Sequence, residues 1–351
     1  MRVWLAEKSS FGKDLAEVLG NPKQVAGIMN CWDTDKGRVV CASGHLVQLA
    51  EPEDYDEKYE NWNVADLPII PDRWKTKEIE GKERWLESIR KGMAGATEII
   101  VATDAGREGE YIAYLILHYL GLWRVPKKRL WTSGANHASI AKAVASLKPY
   151  EEKFLLAEAA QVRAESDWIE GMNLTRLFTT RFAPDGHREP LSIGRVQTAV
   201  LALIVRRSRE IQEFKPRNYH EVSVKVEAGP HSVTLYHRPS KEKRIWDAPA
   251  ALDIAKRVNM HSAPVIVEAH DRAERPPSLF ESSSLQIRAY NLWGWAAEHT
   301  ETIAQSLYDT HKLISYPRTD GTLLLGEQWQ EAAPTLDNIS DTTGFEKIAL
   351  K

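Results

Sequence analysis

Two short apolar runs constrain this chain more than any other feature of its sequence: Arg2-Val3-Trp4-Leu5-Ala6 and Glu98-Ile99-Ile100-Val101-Ala102-Thr103. Each reads as a buried strand. The first ends at Glu7-Lys8 and is followed by helical spacing from Phe11 to Leu19 that stops at Gly20. The second runs into Asp104-Ala105-Gly106-Arg107-Glu108-Gly109-Glu110, after which a helix from Gly109 to Leu120 is closed by Gly121. Strand followed by helix, twice, predicts an α/β sheet with Glu7 and Asp104 at its carboxyl edge, where such folds bind ligands. Carboxylates gathered at that edge invite a divalent cation. Mg²⁺ takes oxygen ligands and keeps several waters, so two or three carboxylates from different segments suffice. The 104–110 stretch also fits a charged helix N-terminus favoured by the helix dipole.

The remaining segments argue for more than one domain, as does the length of 351 residues. Residues 30–70 mix turns with short apolar runs such as Val39-Val40-Cys41 and read as a wrapping loop, and 83–91 reads as a helix. From Tyr150 the pattern changes to long helices, 151 to about 182 and 193 to about 214. On the first, Arg163 and Asp167 are spaced as an intrahelical ion pair, with Arg176 further along. Between the two helices, Ser192-Ile193-Gly194-Arg195-Val196-Gln197-Thr198 places small, cationic and amide groups at a helix N-terminus, a natural phosphate seat. Residues 219–246 alternate around a Gly229-Pro230 turn, and Val265-Ile266-Val267 reads as another strand of a small β-rich region. After the break at Arg275-Pro276-Pro277, helices are predicted over 284–294 and 300–310, with Tyr308 on an apolar stripe facing the core.

Those helices lead into Ser315-Tyr316-Pro317-Arg318-Thr319-Asp320. A phenol, a fixed turn and a permanent cation lie within three residues. A tyrosine hydroxyl has a pKa near ~10, so attack on a phosphodiester needs help with its proton and positive groups to hold the developing charge. Arg318 can supply the latter with a bidentate fork. Tyr-Pro-Arg is also ordinary turn chemistry, and the rest of the chain decides between the two.

Composition excludes several classes. The formal charge is −3 overall, but residues 160–218 hold ten Lys/Arg against seven Asp/Glu, a local basic zone compatible with a nucleic-acid groove or a solvated face. Cys31 and Cys41 lack zinc spacing and point to a reducing compartment. No apolar run has the ~18 residues of a membrane span, and the charged N-terminus does not fit a signal peptide. No Walker A motif is present, which argues against an ATP-driven motor.

Five blocks in order, Ala6-Glu7-Lys8-x-Ser10, Asp104-x-x-Arg107-Glu108-Gly109-Glu110, Asp167-Trp168-Ile169-x-Gly171-Met172-Asn173-Leu174-Thr175-Arg176, Gly194-Arg195-Val196-Gln197-Thr198 and the Tyr316 hexapeptide, resemble the type IA DNA topoisomerases. The closer likeness is to the bacterial topoisomerase III branch. The resemblance implies a multidomain α/β plus α+β toroid: a Toprim domain over 1–150, a helical DNA-binding segment over 151–218, a β-rich hinge segment over 219–275, and over 276–351 the start of a gate domain. It implies ATP-independent cleavage of one DNA strand through a 5′-phosphotyrosine on Tyr316, strand passage and religation. Arg318, Lys8 and Glu7 would assist catalysis, and Glu7, Asp104 and Glu108 would hold Mg²⁺. Arg163, Asp167, Arg176, Ser192, Gly194, Arg195, Gln197 and Thr198 would line a groove for single-stranded DNA. The expected location is the cytoplasm, at the bacterial nucleoid.

The chain departs from the family pattern in three ways. The acidic block normally reads Asp-x-Asp-x-Glu, whereas position 106 is glycine; Ser9 and Ala199 stand where prolines are common; and the sequence stops at Lys351, inside the expected gate domain. Other readings are a single-stranded-DNA-binding remnant of the family, or another Toprim enzyme such as a primase or nuclease, which has no need of Tyr316.

Overall fold

Alternation decides how the first apolar run is used. In the computed structural model, which describes residues 1–184, 186, 189–238, 244–259, 261–262, 264, 268–274, 277–319, 321–323 and 334, strand β1 (Arg2–Ala6) turns Val3 and Leu5 into one buried layer and Trp4 and Ala6 into another. It lies at the centre of a seven-stranded sheet with β2 (Lys23–Gln24), β3 (Cys31–Thr34), β4 (Gly37–Cys41), β7 (Glu98–Ala102), β8 (Lys127–Arg129) and β9 (Lys148–Pro149), in the order β2-β3-β4-β1-β7-β8-β9. Leu5 pairs with Val40 on one side and Val101 on the other, both parallel. The outer strands β2, β3 and β9 are antiparallel to their neighbours.

Helices cover both faces, as buried parallel strands require. On the Leu5 side, α2 (Glu83–Gly92) and α3 (Arg107–Tyr119) contribute Leu86, Ile89, Ile112 and Ile116. On the Trp4 side, α1 (Ser9–Leu19) and α4 (His137–Ala145) contribute Leu15, Leu19 and Ile140. Each such side chain, fully buried, favours the fold by roughly 1.5–3 kcal/mol. Helix α1 packs so closely that a Cβ on Gly12 would lie 2.1 Å from Cys41 Sγ. That approach fixes where α1 starts, and so where Lys8 is placed.

The strands and helices expected around the two apolar runs form close to their expected limits. The wrapping loop expected over 30–70 is corrected: β3 and β4 come from it, and β4 is the neighbour of β1. Val39-Val40-Cys41 is too short to show a period, yet it takes up the backbone hydrogen bonds on one side of β1. From the same region, β5 (Val47–Leu49) pairs with β6 (Thr76–Glu78) in a separate two-stranded sheet.

The chain divides into two compact units, Met1–Gln197 with Pro277–Lys351, and Thr198–Pro276. In the first, α5 (Glu151–Phe182) runs against α3 and ties down the 50–70 segment: Trp168 Nε1 donates to Ala50 O, and Asn173 pairs with both the N–H and the carbonyl of Ile69. Helices α8 (Ser282–Trp293) and α9 (Ala297–Asp309) also belong to it, and Tyr308 of α9 enters the Trp4 layer, as its stripe predicts. The second unit contains the hairpin of β10 (Ser223–Ala228) and β11 (His231–Tyr236), turning at Gly229-Pro230, and α7 (Ala248–Val258). Helix α6 (Arg195–Gln212) has no buried residue and crosses the boundary between the units. The expected strand at Val265-Ile266-Val267, Arg275-Pro276 and Asp320 lie outside the described residues. Among the described residues no helix is long and apolar enough to cross a membrane.

Candidate active site

Because β1 and β7 are parallel and Ala6 pairs with Ala102, the residues that follow both strands leave the sheet at the same edge. Asp104 N–H donates to Glu7 Oε2 at 3.1 Å, and Lys8 Nζ lies 3.0 Å from Asp104 Oδ2 and 4.0 Å from Asp309 Oδ2. Glu7 is only 8% exposed. Burial, reinforced by the Asp104 charge, pushes its carboxyl up to about 7 against the pull of the Asp104 N–H, Lys8 and His45. Burial pulls the Lys8 ammonium down, but Asp104, Asp309 and Glu7 outweigh it and leave it above its ordinary value. Near neutrality Glu7 therefore exchanges a proton while Lys8 remains a cation.

Tyr316 comes to this corner from the other end of the chain. Its N–H donates to Ser133 O at 3.1 Å, its ring meets Tyr308 edge to face at 5.3 Å, and Lys8 Nζ is 5.8 Å from the centres of both rings. Burial raises the Tyr316 phenol, as do Asp104 and Glu7, while Lys8 and Arg318 act in the opposite sense. The resting group is a neutral phenol. Tyr308 is 5% exposed, and burial pushes its phenol far above the usual range, which suits packing rather than chemistry. Arg318 Nε and Nη2 lie 3.0 and 2.8 Å from Glu301 Oε1.

The three expected metal ligands are not gathered into one cluster. Glu7 and Asp104 meet, but Glu108, on the first turn of α3, pairs with His45 Nε2, which together with nearby cations holds its carboxyl below the usual range despite partial burial. Among the described residues, the group whose ligand atoms all lie within 4.8 Å of one another is Asp14, Glu17 and His137, where Lys312 already sits 2.9 Å from Asp14. Gly106 is the N-cap of α3 in extended backbone, with nothing within 4 Å of an added Cβ, so an aspartate fits there. Gly109 is different, since its Cβ would lie 2.2 Å from Asp104 O. Glu110, the other carboxylate of this turn, does not reach the crevice. It is fully buried, 2.5 Å from the equally buried Arg129, which also donates to Asp104 O at 2.9 Å. Arg129 and Glu110 support the acidic loop from behind, a pair that the spacing of the sequence did not reveal.

The expected DNA groove is assembled in part. Asp167 is shared by Arg195 at 2.6 Å and Arg163 at 3.7 Å, and the Arg195 hydrogen bond holds its carboxyl below the usual range. A cavity of about 370 Å³ connects Glu108, Arg107 and His45 to Arg163 and Asp167 between α3 and α5. Ser192 Oγ lies 3.2 Å from Gln197 Oε1, ahead of and within the first turn of α6, with Gly194 between them and Thr198 in the following turn. Arg176 is the exception. It is 6% exposed, donates to Tyr59 O, pairs with Glu53 at 3.3 Å and covers the Trp62 ring, so it fastens the 50–66 segment instead of facing a groove. Its place further along the same helix could not show that a distant loop folds over it.

A family model described as DNA topoisomerase matches residues 151–350, and one described as Toprim domain matches residues 2–133. DNA topoisomerase 3 of Salmonella typhimurium is 34% identical over 97% of this chain and 54% of its own length. DNA topoisomerase 3 of Bacillus subtilis is 36% identical over 92% of this chain and 43% of its own length. The solved full-length topoisomerase I of Thermotoga maritima superposes with a TM-score of 0.64 at 25% identity, over 99% of this chain and 54% of that one. The chain thus spans about half the length of the relatives it matches.

Proposed function

Because the chain belongs to the type IA DNA topoisomerases, we propose that it cuts and reseals one strand of DNA through Tyr316 without consuming ATP. The observation that carries this reading is the convergence of Tyr316 on the Glu7–Lys8–Asp104 corner, with one ammonium 3.0 Å from Asp104 and 5.8 Å from the tyrosine ring. A primase or nuclease reading uses the acidic edge but leaves the placement of Tyr316 without a purpose.

In this reading the Tyr316 oxygen attacks phosphorus as its proton passes to solvent, and the bond from phosphorus to the 3′-oxygen breaks. The downstream strand stays on the protein as a 5′-phosphotyrosine, and the 3′-oxygen leaves with a proton. Glu7, titrating near 7, is suited to deliver that proton and to take it back when the 3′-hydroxyl returns. Lys8 and Arg318 stabilise the charge that builds on the phosphoryl oxygens. The phosphotyrosine conserves the energy of the broken bond, so resealing requires no nucleotide.

The donor set fits Mg²⁺: Glu7 and Asp104 are oxygen ligands held so close that the Asp104 charge disfavours ionisation of Glu7, a repulsion a cation relieves. Glu108 would join them on leaving His45. Such an ion supplies charge neutralisation and alignment of oxygens at the phosphate. Arg163 and Arg195, exposed on either side of Asp167, would bind the backbone of single-stranded DNA, and such a substrate would be met in the cytoplasm, at the nucleoid.

Incubating the chain with a 3′-end-labelled single-stranded oligonucleotide and denaturing the mixture tests the proposal. A labelled protein band is expected, absent in Tyr316→Phe with oligonucleotide affinity within about twofold of the parent, because only a hydroxyl is lost. A band that survives in Tyr316→Phe removes Tyr316 as the nucleophile. Binding with no band in the parent chain leaves a DNA-binding protein only.

A further inference from the structure

Arg318 is held in a defined way. Its Nε and Nη2 atoms converge on a single oxygen of Glu301, at 3.0 and 2.8 Å, so one edge of the guanidinium is occupied and the Nη1 side points away from that carboxylate. The backbone on either side of Arg318 is fixed as well: Ser282, the first residue of α8, donates its hydroxyl to Pro317 O at 2.7 Å and its N–H to Thr319 O at 3.2 Å. Glu301 comes from the middle of α9, the helix whose end buries Tyr308 beside Tyr316. Arg318 is close enough to Tyr316 to oppose the rise of its phenol pKa.

A need for stability does not explain this pair. Both side chains are well exposed, 63% for Arg318 and 43% for Glu301, and exposed ion pairs contribute little to folding. For binding a polyanion, a carboxylate beside the phosphate clamp is a liability. We propose that Glu301 is the positioning residue of Arg318: it grips the Nε–Nη2 edge and presents the Nη1 edge to the phosphate that Tyr316 attacks. The inference rests on the cleavage reading above and adds a residue to it. An arginine that could rotate freely would bind the strand slightly better and would assist the reaction less, because rate depends on alignment more steeply than affinity does.

The two readouts should therefore move in opposite directions. In Glu301→Ala, affinity for a single-stranded oligonucleotide, measured by fluorescence anisotropy, should rise roughly twofold as a negative charge is lost. The rate of covalent adduct formation should fall about tenfold. Glu301→Gln keeps an acceptor oxygen and removes the charge, so affinity should rise while the adduct rate stays within about twofold of the parent. Adduct formation at the parent rate in Glu301→Ala overturns the proposal, as does a joint fall of affinity and rate in which Gln is as defective as Ala. Absence of any adduct in the parent chain overturns the cleavage reading and this inference with it. Adduct in the parent with no effect of Glu301→Ala overturns this inference alone.

Discussion

The Glu7–Lys8–Asp104 corner and the Arg163–Asp167–Arg195 cluster, the candidate groove, both set carboxylates against cations, yet their surroundings give them different physics. In the corner a buried carboxyl, raised by burial and by its neighbour, titrates near 7. In the groove Asp167 lies between two arginines in the open, and its carboxyl is held below the usual range. Charges that are shielded from water move protons and respond to single atoms. Charges that are solvated add up as a field that salt screens. The comparison suggests that cleavage should be governed by the corner and affinity by the groove.

The largest effect that separates the two is a stability change at Glu7. Its folded carboxyl is raised from 4.5 to about 7, so the chain prefers it protonated. The stability this contributes is complete below pH ~4.5 and is lost as pH rises through ~7. Glu7→Gln, which keeps an oxygen for the Asp104 N–H, should match the parent in urea unfolding at pH 4 and exceed it at pH 8 by on the order of 2–3 kcal/mol. Equal stability at both pH values would place Glu7 in the same solvated class as Asp167.

A smaller change is expected when the corner is given another carboxylate. Gly106 has extended backbone and open space around its Cβ position, so Gly106→Asp adds charge with little strain. Calorimetric titration should show Mg²⁺ binding about tenfold more tightly than in the parent. An unchanged affinity would mean that this position does not face the ion, because Glu110 is occupied by Arg129 and cannot substitute.

The smallest effect belongs to the groove. Arg195→Ala should lessen the log–log salt slope of single-strand binding by ~0.7, the value of one phosphate contact. Arg176→Ala should leave that slope unchanged while lowering the melting temperature, since its guanidinium is taken up by Tyr59 O and Glu53. If Arg176 shifts the slope and Arg195 does not, the groove has been drawn on the wrong face.

Much of the fold and part of the site were legible in the residues. The runs at 2–6 and 98–103 announced strands through continuous apolar character, and a strand–helix pair places whatever follows the strand at the carboxyl edge, which located Glu7 and Asp104. Tyr316 and Arg318 stood out only together with the other four blocks, because Tyr-Pro-Arg by itself is ordinary turn chemistry. The sequence by itself therefore determined the family and the two central strands, and it nominated Tyr316, Arg318, Glu7 and Asp104 as candidates, since these depend on residue type and short-range spacing. Tertiary structure decided the rest. Arg163 and Arg176 are arginines of one helix, but only folding lays the Tyr59–Trp62 segment over the latter. Glu108 and Glu110 share a turn of α3, but one points to His45 and the other into the core against Arg129. Whether a charged group is free to react depends on what covers it. That is set by segments far away in the chain, through burial and long-range pairing that local spacing does not encode.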